Sequence, residues 1–204
     1  MSTIAKPPHY SIAEYLAREE QAPTKSEYYN GEIFAMAGAT VRHNLISGNV
    51  FAYLHALLRN QDCRPYGSDL RIKVEQLGLF TYADTVVVCG EVQPADDDPH
   101  CTTNPRVIIE VLSRSTEAYD RGKKFRFYQQ IATLQEYILI AQDEPVIERF
   151  TRAENDKWII STAEGLQAWL EFDSIHCRVA LQNIYESVHF GPEAEGAPDR
   201  VQRA

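Results

Sequence analysis

Arg106-Val107-Ile108-Ile109-Glu110-Val111-Leu112-Ser113 is a short apolar run with one acid in its middle. A run of this length and β-branched content reads as a strand buried on both faces. Glu110 has three apolar residues before it and two after it. A carboxylate inside such a strand is costly unless something pairs with it. A second run of the same kind precedes it, Thr81-Tyr82-Ala83-Asp84-Thr85-Val86-Val87-Val88-Cys89, with Asp84 at its mouth. A basic, helix-like stretch follows, and Lys124 lies in it fourteen residues after Glu110. Acids on two neighbouring strands and a lysine on the next element point to a divalent-metal site suited to phosphodiester hydrolysis.

Working outward, Ser115 or Thr116 can cap a helix over about 117–131, with Phe125 and Tyr128 on its buried stripe. A strand over about 136–141 and an antiparallel meander over 143–162, turning at Glu154-Asn155-Asp156, come next. Upstream, 63–75 and 79–89 read as two strands joined by a turn at Leu77-Gly78, and the stretch Gly90 to Pro105 reads as a loop. From about Thr40 to Asn60 the pattern is helical, with Leu45, Val50, Leu54, Leu57 and Leu58 as the apolar stripe. Asn30-Gly31 is a two-residue hairpin turn between two short strands. Ser11-Ile12-Ala13-Glu14 has capping-box spacing and starts a helix that ends before Pro23. Residues 1–10 read as a flexible arm, 11–190 as one domain and 191–204 as a disordered tail. The expectation is a mixed α/β domain around one central sheet flanked by helices, with an added N-terminal helix and hairpin.

At 204 residues the chain can bury a core without staples. No apolar stretch approaches the ~20 residues of a membrane span and the N-terminus lacks a secretory core, so no membrane partner and a cytoplasmic location are expected. Cys63, Cys89, Cys101 and Cys177 form no Cys-x-x-Cys, so four structural thiols in a reducing compartment are expected. A net charge of −9 argues against a broad electrostatic grip on nucleic acid. A local basic patch can still supply one, and Arg114, Arg121 and Lys123, with Lys124 and Arg126, stand against Glu117 and Asp120.

Each site residue has a bland reading beside the chemical one. Asp84 can end a strand or close a turn, Glu110 can sit in a buried ion pair, and Lys124 can make a surface pair with Asp120 four residues earlier. Glu32 on the hairpin, His43 at the start of the long helix and Asp69 in Gly67-Ser68-Asp69-Leu70-Arg71 are further candidates for lining the site.

Several strings together resemble one bacterial family. They are Glu27-Tyr28-Tyr29-Asn30-Gly31-Glu32-Ile33, Ala37-Gly38-Ala39-Thr40 with His43, and Tyr82-Ala83-Asp84-Thr85-Val86-Val87-Val88-Cys89. Ile109-Glu110-Val111-Leu112-Ser113-Arg114-Ser115-Thr116, Tyr119-Asp120-Arg121-Gly122-Lys123-Lys124-Phe125 and Leu134-Gln135-Glu136-Tyr137 complete the set. The chain resembles the Uma family of restriction-endonuclease-like proteins from about Tyr10 to Tyr185. That resemblance implies a PD-(D/E)xK core with Asp84 and Glu110 as the metal-binding acids and Mg²⁺ or Mn²⁺ as the cofactor. Two positions depart from the pattern: Ala83 replaces the proline before the aspartate, and Leu112 stands where the lysine is expected. The basic role then passes to Lys124. The implied activity is endonucleolytic cleavage of nucleic acid, with DNA as the expected polymer, and a homodimer suits the cutting of two strands. A catalytically inactive binding module on the same fold and a small-nucleotide phosphodiesterase are the alternatives.

Overall fold

The computed structural model describes residues 8–36 and 38–191. The arm over 1–7 and the tail over 192–204 lie outside the described residues, whereas Tyr10 is tied down, donating its N–H to Gly31 O at 2.8 Å. Helix α1 (Ile12–Glu19) starts on the expected capping box, with Ser11 and Glu14 satisfying each other's backbone donors. The hairpin of β1 (Ser26–Tyr29) and β2 (Glu32–Ala35) turns at Asn30 and Gly31, both at positive φ. A Cβ at Gly31 would push the exposed His9 ring aside, and it is the positive φ of Gly31 that calls for glycine.

Helix α2 (Val41–Leu57) is N-capped by Thr40. It buries Ile46, Val50 and Leu54, and Leu58 follows one turn on. The expected stripe is corrected here: Leu57 is exposed and Ile46 takes the place given to Leu45. Strict i,i+4 spacing selects one row of the helix, and its neighbours fall off the sheet.

The larger correction concerns the ribbon 63–89. Four strands form where two were expected: β3 (Cys63–Gly67), β4 (Arg71–Val74), β5 (Leu79–Tyr82) and β6 (Thr85–Cys89). β3 pairs with β6 and β4 pairs with β5, each antiparallel, but the two pairs lie in different sheets. The breaks fall at residues 68–70 and at Ala83-Asp84, where the ribbon turns a corner between sheets. The single sheet is therefore two, and Asp84 stands at the corner.

The central sheet runs β11-β10-β9-β8-β6-β3, with β8 (Val107–Val111) and β9 (Glu136–Ile140) as its parallel pair. β10 (Val146–Arg152) and β11 (Trp158–Glu164) extend it as the expected meander. The second sheet runs β2-β1-β5-β4-β7, β7 being the short Cys101–Thr102. β12 (Trp169–Phe172) and β13 (Cys177–Ala180) make a separate ribbon. α2 and the short helix Leu181–Ile184 cover one face of the central sheet. The other face takes Ile72, Val74 and Leu79 of the second sheet, together with Phe127 and Tyr128 of the crossover helix that joins β8 to β9. That helix, over 117–128, is α-helical at its ends and π-helical at Asp120–Lys124. Tyr15 of α1 packs against Tyr28 and Phe80 on the outer face of the second sheet.

Cys63 and Cys89 are directly opposite in the β3–β6 register and form a disulfide, correcting the expectation of four free thiols. Twenty-six residues separate them in the chain, and only strand pairing brings them together. Cys101 and Cys177 are free.

Candidate active site

The β6–β8 register pairs Thr85 with Ile109, and one step further places Asp84 beside Glu110. Asp84 is fixed there by its own hydrogen bonds. Its Oδ2 accepts from Val111 N at 2.7 Å and lies 3.1 Å from His43 Nε2. Its other oxygen takes no hydrogen bond or ion pair among the described residues. His43 reaches this point from the first turn of α2, and its Nδ1 is buried without a partner among the described residues. Burial works to lower the His43 pKa, but the hydrogen bond and charge of Asp84 outweigh it and hold the imidazole above 6.5.

Glu110 is 5% exposed. Its Oε1 accepts from Tyr128 Oη at 3.1 Å and lies 2.9 Å from Lys124 Nζ. Burial pushes its carboxyl well above 4.5; Lys124 pulls the other way, while Asp120 and Asp84 add to the rise. Lys124 comes from the π-helical turn, a distortion frequent at functional sites. Its Nζ is also 3.6 Å from Glu27 Oε1 and 3.7 Å from Asp120 Oδ1. Burial opposes the ammonium, yet Glu110, Glu27 and Asp120 overcome it and hold Lys124 charged. The lysine is thus the hub of a buried cluster, and the surface pair with Asp120 is instead an interior one.

Glu27, Asp120 and Tyr119 are site residues that the sequence did not single out as such. Glu27 projects from β1 of the second sheet, accepting from Thr81 Oγ1 and, at 3.1 Å, from Tyr119 Oη. The available signal was an acid in the aromatic strand Ser26-Glu27-Tyr28-Tyr29, the same pattern that flagged Glu110. Asp120 is 4% exposed, and burial raises its pKa against the pull of Lys124 and Thr116.

Other expected residues fall outside the cluster. Glu32 is exposed on β2, and Asp69 is exposed on its loop, 3.1 Å from Lys25. Arg121 is held by Glu117 and Glu148, and Lys123 lies over the rings of Tyr29 and Phe127. Arg114 is largely solvent-exposed, 3.5 Å from Asp143. It lines a cleft of about 330 Å³ at the carboxyl ends of β8 and β9, with Leu112, Ser113, Gln142, Asp143 and Glu148. Carboxyl ends of parallel strands are where open α/β sheets take ligands.

The site therefore sets three carboxylates, Glu27, Glu110 and Asp120, around one ammonium, with a fourth, Asp84, beside Glu110. Among the described residues, no three His, Cys, Asp or Glu side chains already stand in a metal-holding arrangement. The donor chemistry nonetheless suits a hard divalent ion: the acids are oxygen donors and their negative charge exceeds what Lys124 neutralises. No helix among the described residues is long and apolar enough to cross a membrane.

Comparison with known proteins agrees with this architecture. The structure of a "putative nuclease belonging to DUF820" from Anabaena variabilis superposes with a TM-score of 0.68, covering 86% of this chain and 97% of that one at 16% identity. It shares the fold. Two uncharacterised Synechocystis proteins are each 35% identical. The match to sll1609 covers 84% of this chain and 97% of the relative, and that to slr1290 covers 90% and 95%. Residues 12–182 match the family model Uma2, described as "Putative restriction endonuclease". The chain belongs to the Uma2 family and has its restriction-endonuclease-like fold.

Proposed function

We propose that the protein is a divalent-metal-dependent endonuclease that hydrolyses phosphodiester bonds in nucleic acid, with DNA as the expected substrate. The observation that carries this reading is Asp84 beside Glu110 at the corner between the sheets, with Lys124 2.9 Å from Glu110 in a cluster rich in carboxylates. Asp84 and Glu110 would hold Mg²⁺ or Mn²⁺. Such an ion supplies charge to the scissile phosphate and lowers the pKa of the attacking water. Asp84 is pre-oriented for this, because Val111 N and His43 fix one oxygen and leave the other available. Glu110 and Lys124 restrain each other, so the ammonium stays charged and close to where negative charge develops on phosphate. Tyr128 and Asp120 fix the positions of these two groups. Arg114 is the cation best placed to meet a phosphate in the cleft, since Arg121 is already engaged by two carboxylates.

Cleavage of supercoiled plasmid and of single-stranded DNA with Mg²⁺ or Mn²⁺ tests the reading. Metal-dependent cutting by the wild type, lost in Asp84→Ala, Glu110→Ala and Lys124→Ala, is the expected result. Cutting that survives in the Asp84 and Glu110 variants would assign the activity elsewhere. The acids lining the cleft, Glu117, Asp143, Glu144 and Glu148, oppose a long polyanion, and a small nucleotide, which needs no long basic groove, is the second reading. Faster turnover of a phosphodiester dye than of plasmid would select it.

A further inference from the structure

Three aromatic side chains stand out among the exposed apolar residues: Phe34, Trp169 and Phe190. Two of them are engaged by the fold, Trp169 by the Arg178 guanidinium and Phe190 by the Tyr185 ring. Phe34, on β2, is 43% exposed and has no ring or cation against it among the described residues.

Register fixes where that ring stands. Phe34 lies directly opposite Glu27 in the β1–β2 pair, and opposed residues project from one face with Cβ atoms ~4.5–5.5 Å apart. The next pair, Tyr28 and Ile33, takes the outer face, which α1 covers with Tyr15. Glu27 points the other way, to Lys124 at 3.6 Å, and Lys124 is 2.9 Å from Glu110. Phe34 therefore sits on the active-site face, at the sheet edge beside an acid of the cluster. A second ring reaches the same acid from another element. Tyr119, in the first turn of the crossover helix, donates its hydroxyl to Glu27 Oε2 at 3.1 Å. It is half-buried, and it too meets no other ring among the described residues. Tyr29 and Phe127 show the alternative, packed ring on ring beneath Lys123.

We propose that Phe34 and Tyr119 form a nucleobase platform, on which a base of the substrate strand stacks beside the phosphate that the acids engage. This rests on the site acting on nucleic acid, as proposed above. Two properties of the molecule favour a base as the occupant. The chain carries a net charge of −9 and its cluster is rich in carboxylates, so attraction for a phosphate backbone is weak. Stacking supplies affinity without cations, and every base presents the flat face it needs. A protein partner would call instead for a continuous apolar patch, whereas the exposed neighbours of Phe34 on β2 are Glu32 and Ala35.

Fluorescence anisotropy of the full chain in Ca²⁺, with labelled oligothymidylate and an abasic deoxyribose-phosphate oligomer of equal length, tests this. The wild type should bind the oligothymidylate about tenfold tighter, or more. Phe34→Leu should erase most of that preference, whereas Phe34→Trp should keep it and lose tryptophan emission when oligothymidylate, but not the abasic chain, is added. Tyr119→Phe and Tyr119→Leu both lack the hydroxyl on Glu27, so a loss confined to the leucine variant reads the ring alone. Ile159→Ala, at an exposed apolar site on β11, should bind as the wild type does. Circular dichroism checks that each variant folds. In cleavage of single-stranded DNA, Phe34→Leu should raise KM and leave kcat, because the ring touches no reacting atom. Equal wild-type affinity for the two oligomers overturns the proposal, as does a base preference that survives both leucine variants. Base-dependent binding without any cleavage would keep the platform and remove the nuclease reading. Metal-dependent cleavage with KM unchanged in both leucine variants would do the reverse.

Discussion

Glu110 and Glu136 sit on adjacent parallel strands, and both carboxylates are buried. Glu136 is met by neutral donors, accepting from Asp173 N at 3.0 Å and Ser174 Oγ at 2.6 Å, with Arg149 at 3.7 Å. It ties β9 to the turn before β13, and the other acid on Arg149 is the exposed Asp173, not a buried one. Glu110 shares one lysine with Glu27 and Asp120 and lies beside Asp84. Burial alone does not mark a chemical site. What distinguishes the two is whether the surroundings neutralise the acid or crowd it with others, and crowded acids are the ones that gain from a divalent ion.

That contrast can be broken most sharply by activity. Glu110→Gln and Asp84→Asn are expected to lower metal-dependent cleavage by about 10²–10³-fold or more, whereas Glu136→Gln should cut at the wild-type rate in the same plasmid assay. Equal losses at Glu110 and Glu136 would mean that both acids act through the fold.

Removing the cation at the hub should cost more stability than altering the satisfied acid. Lys124→Met strands Glu110, Glu27 and Asp120 in the interior, a loss of about 3–5 kcal/mol by the usual result of breaking a buried pair. Chemical denaturation at neutral pH measures it. The deficit should shrink as the pH falls, because protonation relieves the carboxylates.

Metal should separate the two acids in the same direction. Mg²⁺ or Mn²⁺ at a hundredfold excess over its dissociation constant stabilises a one-site protein by about 2.7 kcal/mol. A thermal melt should show the rise in wild type and in Glu136→Gln, and none in Asp84→Asn. Isothermal titration calorimetry of the same three proteins would read the binding directly.

The smallest effect belongs to Glu136→Gln itself, about 1–3 kcal/mol from weakened buried hydrogen bonds. Its pH dependence has a definite sign. Burial raises the Glu136 pKa above 4.5, although Ser174 and Asp173 oppose the shift. The native state therefore binds this proton more tightly than the unfolded chain, and the associated stability is present below 4.5 and lost as pH rises through the folded value. The Gln variant should lack that component, so the gap between the two proteins narrows as pH rises through that window. Denaturation midpoints across the acid range test it.

Local pattern made much of this molecule legible. The capping box at Ser11 and Glu14, the Asn30-Gly31 turn and the acid-bearing strand at Glu110 each depend on residues close together in sequence, where steric preference and periodicity act directly. The corner at Ala83-Asp84 was only half legible: Asp84 offered a strand end, but nothing local says that the residues on its two sides enter different sheets. The Cys63–Cys89 disulfide was hidden for a related reason, since register and not spacing sets the two sulfurs together.

At the site, the sequence by itself marked three candidate groups: an acid at the mouth of one buried strand, an acid inside the next and a lysine on the following helix. Only the tertiary structure decided what they touch. Glu27 meets Lys124 across almost a hundred residues of chain, and His43 meets Asp84 from a helix on the opposite face of the sheet. Short-range geometry fixes strands, turns and helix faces, whereas charge pairing in an interior depends on how the layers stack, and no local spacing encodes that.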